Sequence, residues 1–425
     1  MTTTPTEQPR LPTAPPEFDP LSEAALRDPS SMFLRAREET PVFWSEAVHA
    51  WIITRREDVL RYLNEPDAFA TATRGFIKVP EKFADRFSAE LPDQMMPAMD
   101  PPEHTGPKKA VQKGFLRPRI LKLEDRITHK AHELIDAFPA SGRTDLMAAY
   151  SNPLTMHTLL GLLGLPDSDA DLIWTMGEAS IRVLASANVP LQEPELSRVW
   201  QDYIDGQEYI REIARERAAH PGDDIISIMA TAEDEDGNPV LSPERVALHV
   251  SEIAFAGHDT TAQLMTNMVM FLSENPDQLE EARRNPALWR NVTDEALRRR
   301  PSAPFAARTA VRDVKVGGVT VRKGEMAWFA LASASNDPSH YEDPQRFDIG
   351  RPRPMDHVAF GRGPHTCPGA PLGRAQATIG IRTLYERLPG LRVEPGYPLD
   401  FAPLLILPKR NSLPVIWDHH DQDHT

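Results

Sequence analysis

From Leu241 to Pro276 the chain reads LSPERVALHVSEIAFAGHDTTAQLMTNMVMFLSENP. Ser242 is placed to cap the first free amides, Pro243 suits the first helical position and Asn275-Pro276 makes a natural stop. A helix of about thirty residues, rising about 1.5 Å per residue, crosses a whole domain. Whatever fold forms must therefore be built around this rod. Its centre is weak: Ala256-Gly257-His258-Asp259-Thr260-Thr261 strings together poor helix formers, and threonine hydroxyls compete for the carbonyl one turn earlier. A lone Ala-Gly reads as a close crossing with another helix. The Asp-Thr-Thr that follows predicts instead a locally opened helix presenting an acid and an alcohol.

Most other segments read as helices separated by proline-rich joints such as GLPDSD and ENPDQ, without tandem repeats or a long flexible linker. Two or three domains fit 425 residues, but one helix-rich unit over 21–418 is the simplest account. It is preceded by a flexible Pro/Thr-rich lead, 1–20, and followed by a disordered tail, 419–425; the terminal DHHDQDHT, 418–425, binds metal weakly at most. The fold class is mainly α with a small β part (α+β). In HAWIITRREDVLRYLN, Trp51 to Ile53 suits a strand, and Val59, Leu60 and Leu63 form a helical stripe. In VRDVKVGGVTVRKGE, Gly317-Gly318 between alternating valines predicts a tight hairpin. Glu295 and Arg298 share one face of a helix that Pro301 ends, by themselves an ordinary pair worth about 0.2–0.5 kcal/mol.

Lys+Arg of 47 against Asp+Glu of 62 gives a net charge of -15, which argues against nucleic acid or an anionic membrane as partner. No apolar run approaches the roughly 20 residues of a membrane span, and residues 1–20 hold no signal-like apolar core. A soluble protein without a membrane anchor is expected. Cys367 is the only cysteine, which excludes an intrachain disulfide, a zinc ribbon and a Cys-x-x-Cys redox site, and points to a reducing, cytoplasmic setting.

That cysteine sits in FGRGPHTCPG, directly before APLGRAQATIGIRTLYERL, whose Leu372, Ala375, Ile379, Ile381 and Leu384 suit a packed helix. A sulfur at a helix N-terminus is favoured as thiolate, and so acts as a nucleophile or a metal ligand. His365 is a candidate base two residues away, but a Cys-His dyad normally draws its histidine from elsewhere in the fold, and no cysteine-hydrolase signature surrounds this one. What remains is a single soft ligand on a metal whose other ligands are not protein side chains, which describes haem iron. Glycines 361, 363 and 369 then let the loop lie flat against a macrocycle.

At this point the residues resemble the cytochrome P450 superfamily. FGRGPHTCPG fits the family's Phe-Gly-x-Gly-x-His-x-Cys-x-Gly loop at every fixed position, and DPPEHT, AGHDTT, EALR and DPQRFD resemble four further family motifs in family order. The resemblance covers nearly the whole chain. It implies the cytochrome P450 fold, a helix-rich haem domain with small β-sheets, and a soluble bacterial haem-thiolate monooxygenase carrying haem b. Cys367 then looks like the iron ligand, and Phe360 like the aromatic ring that shields it. His104, Arg308 and His365 resemble propionate contacts, as does Lys108, which stands where many relatives have arginine and offers a point charge in place of a bidentate fork. Glu295 and Arg298 resemble the buried network supporting the loop, with Arg346 or His357 as third member. Asp259 and Thr260 match the acid-alcohol pair: Asp259 relays protons and Thr260 holds dioxygen and its water. Their joint presence implies ordinary monooxygenation. His258 occupies a variable position and is read as structural, or as a modest influence on proton access.

In RGFIKVPEKFADRFSAELPDQMMPAMD, Phe76, Ile77, Phe83 and Phe87 suit an apolar substrate pocket, and Arg74, Lys78, Lys82 or Arg86 suit a substrate carboxylate. A solvated basic helix with an apolar inner face explains the same stretch equally well. Ile253, Phe255, Ala256 and Ala303 to Phe305 are further wall candidates. The implied reaction inserts one oxygen atom of O2 into a small or medium-sized hydrophobic molecule. Electrons come from a ferredoxin or flavodoxin with its reductase, received by a basic face of Lys108, Lys109, Lys113, Arg117, Arg119 and Arg362 on a monomer. The alternative is a non-enzymatic haem-thiolate sensor or carrier, against which the Asp259-Thr260 pair speaks, since a sensor needs no proton relay.

Overall fold

The computed structural model describes residues 12–71, 75, 77–186, 190–398, 400–402 and 407–418. The long helix spans Pro243–Glu274, and Ser242 Oγ accepts from the Arg245 amide at 3.3 Å, the cap its sequence calls for. Helices Asn152–Leu163, Ala170–Ala185, Glu195–Ala219, Trp289–Arg299 and Ala370–Arg387 all pack on it. Many of its buried residues, among them Val246, Val250, Met265, Met268 and Leu272, belong to the largest apolar core among the described residues.

The expected opening at 256–261 is absent: the segment is helical throughout. The Thr260 hydroxyl donates to the Ala256 carbonyl at 2.6 Å, and the Ser302 hydroxyl donates to the Thr260 carbonyl at 2.8 Å. Competition for the backbone is thus met by added side-chain bonds while the helix persists. Nor is Gly257 a crowded crossing, because an added Cβ would meet only Leu159, at 3.8 Å. The close approach is made from the other side, by Gly177, whose Cβ would stand 3.4 Å from Ala254, Phe255 and His258.

The main sheet has five strands in the order Val42–Ser45, Ala50–Ile53, Met326–Ala330, Phe305–Ala310, Phe69–Thr71. All neighbours are antiparallel except Ala50–Ile53 with Met326–Ala330, which run parallel with Trp51 opposite Ala327. The expected strand and helix near residue 51 are both present, the helix as Arg56–Tyr62. The hairpin forms from Val314–Val316 and Val319–Val321, with φ of 54° at Gly317 and 84° at Gly318, the double positive φ of a type I′ turn. The packed chain begins before residue 21: the Trp44 amide donates to the Pro12 carbonyl at 2.9 Å, and the buried Phe18 ring lies 5.0 Å from that of Phe43. Residues 419–425 lie outside the described residues.

Candidate active site

The cysteine loop folds back on itself. The Cys367 amide donates to the Phe360 carbonyl at 2.9 Å, and both amide and hydroxyl of Thr366 donate to the Gly363 carbonyl, at 3.0 and 2.9 Å. Gly363 has a φ of 72°, and a Cβ there would stand 2.2 Å from the Leu63 carbonyl oxygen. The glycine is therefore demanded by the chain packed beneath it, where the sequence suggested a macrocycle. Cys367 is an exposed residue just ahead of helix Ala370–Arg387. Crowding by the surrounding walls nevertheless raises its thiol pKa, against the amides of Gly369 and Ala370 and the charges of Lys108 and Arg374, which lower it. The helix terminus alone does not make a free thiolate here. A metal cation does so outright, which favours a ligand over a nucleophile.

Around this sulfur the fold gathers basic groups. His365 Nε2 lies 3.4 Å from Asp100 Oδ1, and its ring centroid is 4.4 Å from that of His104. His104 Nε2 is buried and finds no hydrogen-bond partner among the described residues. Burial lowers the His104 pKa to about 4, with help from the nearby His365 and Lys108. Arg308, also pushed down by burial, donates to the Ala307 carbonyl at 2.7 Å. Lys108 Nζ donates to the Thr366 carbonyl at 2.6 Å, beside the sulfur, so part of its hydrogen-bonding capacity secures the loop. One carboxylate, Asp100, stands among these donors. An unpartnered buried polar atom such as His104 Nε2 is costly, and one soft sulfur beside two cations, Arg308 and Lys108, and two imidazoles is a donor set that suits an iron porphyrin with two propionates. The residues fit haem.

Behind the loop, Arg298 binds Glu295 through two bonds, Nε to Oε2 at 2.7 Å and Nη2 to Oε1 at 2.8 Å, both residues fully buried. Its Nη1 reaches the carbonyls of Ser335 and Pro344 and the Asn336 side chain. The third member is neither of the expected residues. Arg346 gives only its carbonyl, to Arg298 Nη2 at 3.1 Å, and the acid is instead shared with Arg351, whose Nε is 3.0 Å from Glu295 Oε1. His357 belongs to an adjoining network: its Nε2 lies 3.2 Å from Asp294 Oδ1, which Arg374 also binds at 2.6 Å, and the Arg374 guanidinium covers the Phe360 ring at 4.6 Å. Sequence offered no motif for Arg351, only a basic residue in a proline-rich coil.

Asp259 and Thr260 share a cavity of about 10 Å³ with Ile181, Gln263, Ser302, Leu407, Pro408 and Lys409. The last three residues of that lining, and Ile181, were not foreseen, because they come from segments distant in sequence with no chemical signature. Ala256, one turn earlier, is exposed, and Phe255 is partly buried. The aromatic wall fares differently. Phe83 and Phe87 are buried against Trp200 of helix Glu195–Ala219, at 6.4 and 6.0 Å between centroids, and Phe305 packs between Phe33 and Trp328 in the sheet core. All three are buried, with aromatic neighbours of the protein itself against their rings. Lys82 pairs with Glu193, and Arg86 with Asp205 and Glu208 at 2.7 Å, so these two residues face acids of the protein itself, while Lys78 is exposed. Arg74 and Phe76 lie outside the described residues.

Comparison with known proteins agrees with this geometry. The family model described as cytochrome P450 matches residues 191–389. The chain is 34% identical over 389 residues to cytochrome P450 107B1 of Saccharopolyspora erythraea, covering 89% of this chain and 92% of that protein. Among solved structures, P450BioI in complex with an acyl carrier protein ligated to hexadec-9Z-enoic acid superposes with a TM-score of 0.81 at 26% identity, covering 93% of this chain and 100% of the other. CYP109E1 from Bacillus megaterium with testosterone gives 0.78 at 26% identity, covering 92% and 100%. With the cysteine loop, the basic residues Lys108 and Arg308 near it and the Asp259-Thr260 pair on the long helix, the chain belongs to the cytochrome P450 family, monooxygenases whose cofactor is haem b.

Proposed function

We propose that the chain inserts one oxygen atom of O2 into a small or medium-sized hydrophobic substrate, using electrons from a separate ferredoxin or flavodoxin with its reductase. The observation that carries this reading is the pairing of Asp259 and Thr260 at one cavity whose volume, about 10 Å³, is close to what a single water needs. Cys367 would hold the iron, His104, His365 and Arg308 would bind the propionates, and Lys108 braces the loop while contributing positive charge. Haem on a cysteine thiolate supplies the electron push that breaks the O–O bond. Thr260 commits its proton to the Ala256 carbonyl, which leaves its oxygen as an acceptor that orients a proton carrier. Asp259 delivers the proton. The acyl chain and the steroid bound by the two solved relatives support an apolar substrate.

Exposed Lys109, Lys113 and Arg117 support docking of an acidic donor on this otherwise acidic chain. No helix among the described residues is long and apolar enough to cross a membrane, and we infer a cytoplasmic monomer. The decisive measurement is reconstituted turnover with Thr260→Ala. Product formed per electron pair should fall at least fivefold while the carbon monoxide spectrum of the reduced protein keeps its strongly red-shifted Soret band. Undiminished coupling overturns the assignment of Thr260, and a red-shifted band that survives Cys367→Ser overturns that of Cys367.

A further inference from the structure

Asp259 is not a free carboxylate. Its Oδ1 lies 3.0 Å from Lys409 Nζ and 3.2 Å from His258 Nε2, and both of these cations also reach Glu178 Oε1, at 2.7 and 3.4 Å. Two anions and two cations thus alternate around a small ring, drawn from the long helix, helix Ala170–Ala185 and the strand Lys409–Arg410. A metal has no call on these carboxylates, since the Lys409 ammonium already stands between them.

The charge on His258 follows from geometry. Its Nδ1 lies 2.8 Å from the Ala254 carbonyl, an acceptor, so Nδ1 carries a proton. Nε2 faces two carboxylates, which also only accept, so it carries a proton as well. The ring is fully buried and packs against Trp174, with centroids 4.5 Å apart and the planes tilted by 47°, which helps to hold both contacts. Burial opposes the charge, but the neighbouring carboxylates of Asp259 and Glu178 outweigh it and raise the His258 pKa to about 9. Asp259 Oδ1, by contrast, accepts no aligned hydrogen bond among the described residues. It is held by charge without a directional bond, so rotation about its side chain breaks no aligned bond.

Exposure is graded along the ring: the side chains of Glu178, Lys409, Asp259 and His258 are 36%, 18%, 8% and 1% exposed. Glu178 is the port to solvent, while Asp259 borders the one-water cavity it shares with Thr260.

We propose that His258 reloads Asp259 with protons, with Glu178 as the port through which His258 recovers each proton from solvent and Lys409 as the fixed charge that positions both carboxylates. In one cycle the Nε2–H bond of the imidazolium breaks and an O–H bond forms on Asp259. The neutral ring then takes one proton from water by way of Glu178, and the Nδ1–H to Ala254 bond is kept throughout. Nothing is oxidised or reduced, and one proton enters for each one delivered.

This rests on the role given above to Asp259, so three variants are compared in the haem-loaded protein. Asp259→Asn tests the underlying reading, and His258→Phe, which keeps an aromatic ring against Trp174, and Glu178→Gln, at a partly exposed site, test the relay. The expected result is a loss of product per electron pair of at least fivefold in Asp259→Asn and at least threefold in the other two, with a larger solvent deuterium effect on turnover. An effect in Asp259→Asn alone overturns the relay and leaves the underlying reading standing. No effect in any of the three overturns both. A second readout is independent of turnover. With a folded pKa near 9 and an ordinary value near 6.5, the His258 charge contributes stability that is complete below about pH 6.5 and lost as pH rises through 9. The melting temperature of the wild type should therefore fall relative to His258→Phe across that window. A constant difference means that His258 is not charged, and the relay fails.

Discussion

Arg351 Nε lies 3.0 Å from Glu295 Oε1, so the acid that binds Arg298 is shared between two guanidinium groups. Arg351 also holds the carbonyls of Glu342, Asp343 and Arg346, the coil that leads to the haem loop. Breaking a buried ionic network by removing one partner costs about 3–5 kcal/mol. Arg351→Met should therefore lower the unfolding free energy by about 3 kcal/mol and speed haem loss to an acceptor such as apomyoglobin. Arg346→Met, whose side chain is outside this network, should leave both close to the wild-type values in denaturant titration.

Gly363 couples two constraints, a positive φ and a Cβ direction blocked by the Leu63 carbonyl at 2.2 Å. Overpacking costs about 1–3 kcal/mol, and the left-handed conformation adds about 1–2 kcal/mol for a residue with a Cβ. Gly363→Ala should thus lose about 3 kcal/mol. Gly257→Ala, with only Leu159 nearby at 3.8 Å, should be neutral or slightly stabilising. Denaturant midpoints of the two variants decide the point.

Phe87 is 4% exposed and touches Trp200 and Tyr203. Its truncation leaves a cavity in the core, so Phe87→Ala should cost about 3–5 kcal/mol. A wall residue of the substrate site would behave differently, changing which ligands shift the ferric spectrum while sparing stability.

Burial works to raise the Glu178 pKa, but hydrogen bonds to His258 and Lys409 outweigh it and bring it down to about 2 from an ordinary 4.5. For a depressed carboxylate the stabilisation is complete above the unfolded value and is lost as pH falls toward the folded one. Glu178→Gln should therefore melt below the wild type at pH 7, and the gap should narrow as pH falls from about 4.5 toward 2. Melting curves at pH 7, 5 and 4 suffice to show the trend.

Lys109, Lys113 and Arg117 are exposed, whereas Arg119 is paired with Asp223 at 2.7 Å. Electrostatic steering raises encounter rates by about 10–1000-fold and is screened by salt. Replacing the three residues by Glu should slow reduction by an acidic ferredoxin at least tenfold in stopped flow and flatten its dependence on ionic strength. Arg119→Ala should do much less.

Local signals were the legible part of this molecule. The Ser242 cap and the Gly317-Gly318 turn are set by residues within four positions of one another, and the structure contains both as expected. The residues around Cys367 were found because a dense motif marks them. What stayed hidden depends on pairing across long separations. Arg351 reaches Glu295 over 56 positions, and Lys409 reaches Glu178 over 231, each from a segment with no pattern of its own. Phe83 and Phe87 illustrate the converse problem. An apolar ring on one face of a helix is required equally by a core and by a pocket, and only the position of Trp200 separates the two.

The parallel pairing of Trp51 with Ala327 also sets a schedule. A ribosome adding roughly 5–20 residues per second releases the first strand pair on the order of tens of seconds before its sheet partner exists. During that interval Ala50–Ile53, all apolar, offers an open edge to any neighbouring nascent chain. The hazard in making this protein thus lies in the waiting time of its N-terminal hairpin, long before haem or substrate can contribute anything to its stability.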